Sequence, residues 1–185
     1  MVPRVDTMLW RRLDVPGHDS CRLAATAKGW VLRGTAVFRH ETGPAHLTYE
    51  VRTDASWRTR EGRVDGWIGD RRTRVRVRRL ETGWEVNGAA VAQGRECVDL
   101  DFGFTPATNV LQLRRLALEV GQAASATVAW LDVPSTTLDM LAQRYDRRTA
   151  TSYWYEAPRF EYAALLEVSA AGFVLRYPGL WVAES

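Results

Sequence analysis

The residues of this chain best suited to engage a ligand are its aromatics, eight tryptophans and six tyrosines in 185 residues. Trp and Tyr combine an apolar body with a polar tip, which suits sugars, lipid chains and the junction between them. Trp10, Trp30, Trp57, Trp67, Trp84, Trp130, Trp154 and Trp181 recur nearly once per hairpin, joined by Tyr49, Tyr145, Tyr153, Tyr155, Tyr162 and Tyr177. In Tyr153-Trp154-Tyr155 strand alternation sends rings to both faces, so one of them needs a groove or a subunit interface beyond a one-sided core. The cations are equally biased: of 25 basic residues, Lys28 is the lone lysine and the rest are arginines. Arginine's planar fork stacks on rings and grips carboxylate or phosphate at two points, although a GC-rich genome writes the same bias.

Signatures of covalent or metal chemistry are missing. The glycines are scattered as turn residues, with no phosphate-binding loop, and Asp101-Phe102-Gly103 imitates a kinase triplet without the loops that would accompany it. His18, His40 and His46, with Asp19 and Cys21 nearby, match no zinc spacing, so neither a metal nor a cofactor is expected. Any acid or base would come from Asp54, Asp99 or His18 converging in a cleft. A net charge of +3 is too small for a dedicated nucleic-acid binder. No apolar run approaches the length that spans a bilayer, which excludes an integral membrane protein of the helical kind. The basic segment from Met1 to Gly17 lacks the apolar stretch of a signal peptide, which predicts a cytoplasmic protein with Cys21 and Cys97 as free thiols.

The elements that must position these residues are mostly strands. With 46% hydrophobic residues and no visible linker, residues 1–185 read as one domain. The dominant period is two, over 7–13, 20–26, 29–40, 45–53, 56–60, 63–68, 71–80, 83–86, 90–92, 97–102, 116–120, 126–133, 152–156, 160–168 and 172–177. Turn chemistry such as Gly43-Pro44, Asn87-Gly88 and Pro178-Gly179 punctuates them. In Arg71 to Leu80 the alternation puts Arg72, Arg74, Arg76 and Arg78 on one face, read as a solvated surface meeting acids on neighbouring strands. Two segments read as helix: Pro106 to Leu113, entered through Thr105-Pro106, and Ser135 to Arg148, where Leu138, Leu141, Ala142 and Tyr145 form a stripe.

The segments LDVPGHDSCRL, GWVLRGTAVF, HLTYEVRTDASWRTR, GWEVNG, VDLDFGFTPATNVLQLRRL, QRYDRR, YWYE and GFVLRYPGLW together resemble the bacterial family described as putative glycolipid-binding proteins. The most specific stretch runs from Asp99 to Leu116. The resemblance implies a mainly β, single-domain spiral β-roll in which an antiparallel sheet wraps one short helix, and it implies a homodimer. It also implies prolines around Met140 to Ala142 in relatives, so 135–148 stands open between helix and irregular strand. Gly103 is an extra residue relative to the family form and reads as a bulge. Within the matched stretch Thr105, Thr108 and Asn109 read as turn caps, and Asp99 and Asp101 as acceptors for Arg114 or Arg115.

The resulting expectation is a non-enzymatic binding protein whose curved sheet holds a glycolipid or another amphipathic small molecule. Trp57, Trp67, Tyr145, Tyr155, Tyr177 and Trp181 would meet its apolar or sugar part, and Arg52, Arg58 or Arg114 an anionic head. Two alternatives stay open: an interaction module whose aromatics form a homodimer interface, and an enzyme built on the acids and histidine named above.

Overall fold

A computed structural model describes residues 5–184, so the first four residues of the basic N-terminal segment lie outside the described residues. The strands are β1 (Val5–Arg12), β2 (Gly17–Thr26), β3 (Gly29–His40), β4 (Gly43–Thr53), β5 (Thr59–Ile68), β6 (Arg71–Leu80), β7 (Gly83–Val86) and β8 (Ala89–Val91), then β9 (Leu100–Phe102). A helix α1 (Asn109–Leu116) follows, then β10 (Ala123–Leu131), β11 (Asp139–Thr149), β12 (Ser152–Ala157), a 3-10 turn at Pro158–Phe160, β13 (Tyr162–Val168), β14 (Val174–Tyr177) and β15 (Trp181–Ala183). All fifteen form one open sheet in the order β8-β7-β6-β5-β4-β3-β2-β1-β15-β14-β13-β12-β11-β10-β9. Two meanders are therefore joined where the first strand pairs with the last, Trp10 opposite Ala183. Trp10 ties them further: its side chain is fully buried and its indole N–H donates to Val174 O at 2.6 Å.

The sheet is antiparallel except at β9 and β10, which run parallel with Ala129 opposite Leu100. A parallel pair cannot be joined by a tight turn and needs a crossover. Helix α1 is that crossover, and the sheet curls around it: Asn109, Val110, Leu111, Gln112 and Leu113 are all buried, on every side of the helix. The fold is thus mainly β, with the expected wrapped sheet and single helix, and with one parallel pair that alternation could not reveal.

Several boundaries differ from the sequence reading. The helix begins three residues later than expected. Thr105 accepts the Ala107 N–H at 3.0 Å, making a turn of the segment that Pro106 was expected to open as helix. The segment 135–148 holds no helix: residues 135–138 are irregular and the rest belongs to β11. Leu141, Gln143 and Tyr145 face inward while Ala142 and Arg144 face out. Residues 56–58 are a turn rather than strand, because Asp54 Oδ1 accepts the N–H groups of Ser56 and Arg58 at 2.9 and 3.0 Å and Trp57 takes φ 66. Residues 116–120 are the helix end and a turn, closed by Ala117 in the left-handed region with its N–H on Leu113 O. Phe160 sits in the 3-10 turn, and β15 was not anticipated.

The arginine face of β6 is as read from alternation. Arg74 pairs with Asp65 at 2.7 Å and Arg76 reaches Glu61 at 3.5 Å, both on the exposed side of β5. On the inner face packing is tight. A Cβ at Gly34 would collide with the Tyr49 hydroxyl and lie 2.7 Å from Ser20 O. Because that hydroxyl is fixed by hydrogen bonds, Gly34→Ala is expected to destabilise the fold by roughly 1–3 kcal/mol, read as a lower urea midpoint at unchanged slope.

Candidate functional site

The turn between β9 and α1 carries a buried polar network. Asp101, on β9, accepts the Thr108 hydroxyl at 2.6 Å on one oxygen and the Gln143 amide at 2.7 Å on the other. Thr108 Oγ1 in turn accepts the Phe102 N–H at 3.2 Å. Asn109 donates to the Tyr145 hydroxyl at 3.0 Å, and that hydroxyl donates to Gln143 Oε1 at 3.2 Å. Beside this, Tyr49 donates to Asp19 Oδ1 at 2.8 Å and its oxygen lies 3.2 Å from Thr105 Oγ1. Every buried oxygen here is partnered except Asp19 Oδ2.

Above the network lies a cavity of about 370 Å³ between the helix N-terminus and the strands β9 to β15. Its floor holds Asp101, Thr105 and Asn109, its rim Asp132. Its walls are rings: Trp130 and Phe160 5.4 Å apart on one side, and Tyr155, Tyr162 and Tyr177 within 5.4 to 6.2 Å of one another on the other, with Trp181 beyond. Gly103 makes the closure feasible, since a Cβ there would stand 2.7 Å from Asp132 Cγ and 2.9 Å from Trp130. Burial lifts the Asp101 carboxyl to about 6 against the hydrogen bonds it accepts, with Asp99 and Asp132 adding repulsion. Burial also raises Asp132, and it pushes the Tyr162 hydroxyl up to about 12. Among the described residues no arginine lines this cavity; Arg159 stands outside, over Trp130 at 5.1 Å and paired with Asp139. The cavity thus offers rings to stack on and carboxylate oxygens that can accept hydrogen bonds.

Of the residues singled out from sequence, Tyr155, Tyr177 and Trp181 line this cavity. Tyr145 lies one layer beneath, fully buried, its ring 5.0 Å from Tyr155. The others lie away from it, although Trp57 and Arg114 meet each other, the guanidinium 5.8 Å over the ring. Trp57 stacks on Trp30 at 4.4 Å, Trp67 is an exposed ring beside His46 on the outer face, and Arg52 bonds Glu50 at 2.6 Å. Arg58 is exposed at the Asp54 turn, and Arg114 donates to Ala171 O at 2.9 Å in a different cavity. The anionic-head role expected of these arginines therefore does not attach to the aromatic cavity, whose charge has the opposite sign. Nor do the residues considered for catalysis converge. Asp54 caps its turn, His18 faces Glu184 at the surface, and Asp99 is gripped by Arg115. Sequence reading passed over Trp130, Asp132, Phe160 and Tyr162; Trp130 and Asp132, two apart at the end of β10, were the available hint.

Cys21 and Cys97 are both buried free thiols. Among the described residues no helix is long and apolar enough to cross a membrane, and no group of His, Cys, Asp and Glu is arranged to hold a metal ion.

A crystal structure of a DUF1089 family protein from Pseudomonas aeruginosa is similar to this chain, with TM-score 0.76 and 28% identity over 88% of this chain and 90% of that one. No curated protein matches. The family model described as Putative glycolipid-binding matches residues 7–183, which take in both meanders, the helix and every wall of the aromatic cavity, and the chain belongs to that family.

Proposed function

We propose that this protein binds an amphipathic glycolipid-class ligand in the aromatic cavity and does no chemistry on it. The observation that carries the reading is the composition of the cavity: a ring-walled space of about 370 Å³ with Asp101, Asn109 and Asp132 as its polar contacts. Sugar C–H faces stack on Trp and Tyr, and sugar hydroxyls donate to carboxylates. Phe160, half exposed at the mouth, is placed to cover the bound ring. The family description supports the same ligand class.

Titration with dodecyl maltoside below its micelle concentration, followed by tryptophan fluorescence, tests the proposal. Saturable binding is expected, weakened about five- to tenfold in Phe160→Ala, a loss of roughly 1–1.5 kcal/mol. Unsaturable binding, or equal affinity in the variant, overturns it. A second reading, favoured by the raised Asp132 carboxyl at the rim, is an acid-assisted glycoside hydrolase. It predicts release of free sugar from the same probe, abolished in Asp132→Asn, whereas the binding reading predicts the probe recovered intact.

A further inference from the structure

A second cavity, of about 340 Å³, opens at the other end of α1 and shares no lining residue with the aromatic one. Arg114 from the last helical turn, Arg147 from β11 and Tyr153 from β12 face into it over a floor that includes Leu113 and Val168. Among the described residues no carboxylate lines it. Several exposed arginines, among them Arg33, Arg52, Arg63, Arg74 and Arg76, meet acids instead. Among the described residues Arg114 and Arg147 have no acidic partner; backbone carbonyls accept their hydrogen bonds, and the Arg114 guanidinium also lies 5.8 Å over the Trp57 ring. Arg114 Nε donates to Ala171 O at 2.9 Å, leaving both its terminal nitrogens uncommitted. Arg147 is anchored on the carbonyls of Leu118, Thr149 and Ala150, with its guanidinium 5.6 Å over the Tyr153 ring.

Tyr153 adds a hydroxyl to the same space. The residue lines the cavity, and its hydroxyl, open to it, has no hydrogen-bonding partner among the described residues. Burial raises that hydroxyl's pKa while the charges of Arg147 and Arg114 pull against it, so both guanidinium groups act on it. Ser169, whose oxygen accepts the Phe173 N–H at 3.1 Å, keeps its own proton to donate into the same space. Two carbonyl-anchored cations and an unpartnered hydroxyl, arriving from three elements, present donors from three directions. That arrangement suits the several oxygens of a tetrahedral group better than the two of a carboxylate.

We propose that Arg114, Arg147 and Tyr153 form a binding site for a phosphoryl group, distinct from the aromatic cavity. The anchoring carbonyls fix both cations before the ligand arrives, so little side-chain order is lost on binding. The site takes either free phosphate or the phosphate of a lipid headgroup, since the chemistry recognised is the same.

Calorimetric titration of the intact protein with inorganic phosphate, at constant ionic strength, tests the site. Saturable binding is expected, weakened roughly tenfold or more in Tyr153→Phe and at least as much in Arg114→Gln. Tyr153→Phe removes only an unpartnered hydroxyl and is expected to fold normally, so it carries the test even if Arg114→Gln is unstable. Absence of saturable binding, or equal affinity in a folded Tyr153→Phe, overturns the proposal. Co-sedimentation with phosphatidylcholine vesicles, with and without phosphatidic acid, separates the sources. Retention by phosphatidic acid that free phosphate displaces assigns the site to a headgroup, and phosphate binding without retention assigns it to a soluble ligand. Neither result depends on the dodecyl maltoside experiment.

Discussion

Arg115→Met is expected to cost about 3–5 kcal/mol of folding stability, because it strands a buried carboxylate. Asp99 is fully buried, and Arg115 holds both of its oxygens: Nε lies 2.8 and 2.9 Å from the two, and Nη2 2.7 Å from Oδ2. Breaking such a pair from one side leaves a charge without solvent or partner, which costs more than the pair itself contributes. The double variant Arg115→Met with Asp99→Leu should recover much of the loss, since it removes both the cation and the charge that needed it. Denaturant unfolding of the two singles and the double gives the coupling directly. Arg74→Met is the control: its partner Asp65 is exposed, and the change should leave the urea midpoint nearly unmoved. A loss of under 1 kcal/mol for Arg115→Met would show that water reaches Asp99. The pair also explains why the stretch from Asp99 to Leu116 behaves as a unit. It ties the last turn of the crossover helix to the segment leading into β9, fixing the one parallel connection of the sheet.

What the sequence discloses about this fold depends on whether polar residues point outward. Where they do, alternation reads correctly, as in β4 or in β6 with its four outward arginines. It fails where a polar side chain turns in. On β11 the inward positions are Leu141, Gln143 and Tyr145, and Gln143 is buried because Asp101 needs its amide. With Gln143 looking like a surface residue, Leu138, Leu141, Ala142 and Tyr145 present a helical stripe in a segment that is irregular at Leu138 and strand from Asp139 on. The same network moves the helix start: Thr105 and Thr108 turn their hydroxyls to backbone N–H groups and Asp101, so the chain is still turning where Pro106 suggested a first helical residue.

The candidate site was legible to the same degree. Tyr155 and Tyr177 sit at inward positions of strands whose direction could be read, and both reach the cavity. Trp57 and Trp67 carry the same side chain but stand on a turn and on the outer face, which ring chemistry alone does not distinguish. Arg114 could be assigned an anion from its type, but which cavity it enters depends on the rotation of a helix buried on all sides, and that is set by Asp99, Ala171 and Tyr145 together. Of the pairings left open between Asp99 or Asp101 and Arg114 or Arg115, the structure contains Arg115 on Asp99, while Asp101 is taken by Thr108 and Gln143 and Arg114 turns to Ala171 O.

Stability is expected to fall as pH rises from about 4 to about 7, with Asp19 the largest single cause. Burial raises its carboxyl from 3.8 to about 7, against hydrogen bonds from Tyr49 and Thr105, and its Oδ2 accepts nothing. Burial raises Asp101 likewise, to about 6. A carboxyl whose pKa is higher folded than unfolded holds its proton in the native state after the unfolded chain has lost it. The unfolded state then binds fewer protons, and stability declines with pH between the two values. For Asp19 the window runs from 3.8 to about 7 and is worth on the order of 4 kcal/mol. Two groups beside it stay protonated throughout: burial and the Asp19 charge push the Cys21 thiol and the Tyr49 hydroxyl well above their ordinary values. Asp14 and Glu50 act in the opposite sense at lower pH. Burial pushes them up, but Arg12, and Arg33 with Arg52, more than offset it, so their contribution is lost on acidification. The stability optimum is therefore expected on the acid side, at about pH 4–5. Asp19→Asn keeps the acceptor for Tyr49 and removes the titration, so its urea midpoint should change far less between pH 4 and pH 7 than that of the wild type. Equal slopes in the two proteins would mean that Asp19 ionises in the folded state as readily as in the unfolded chain.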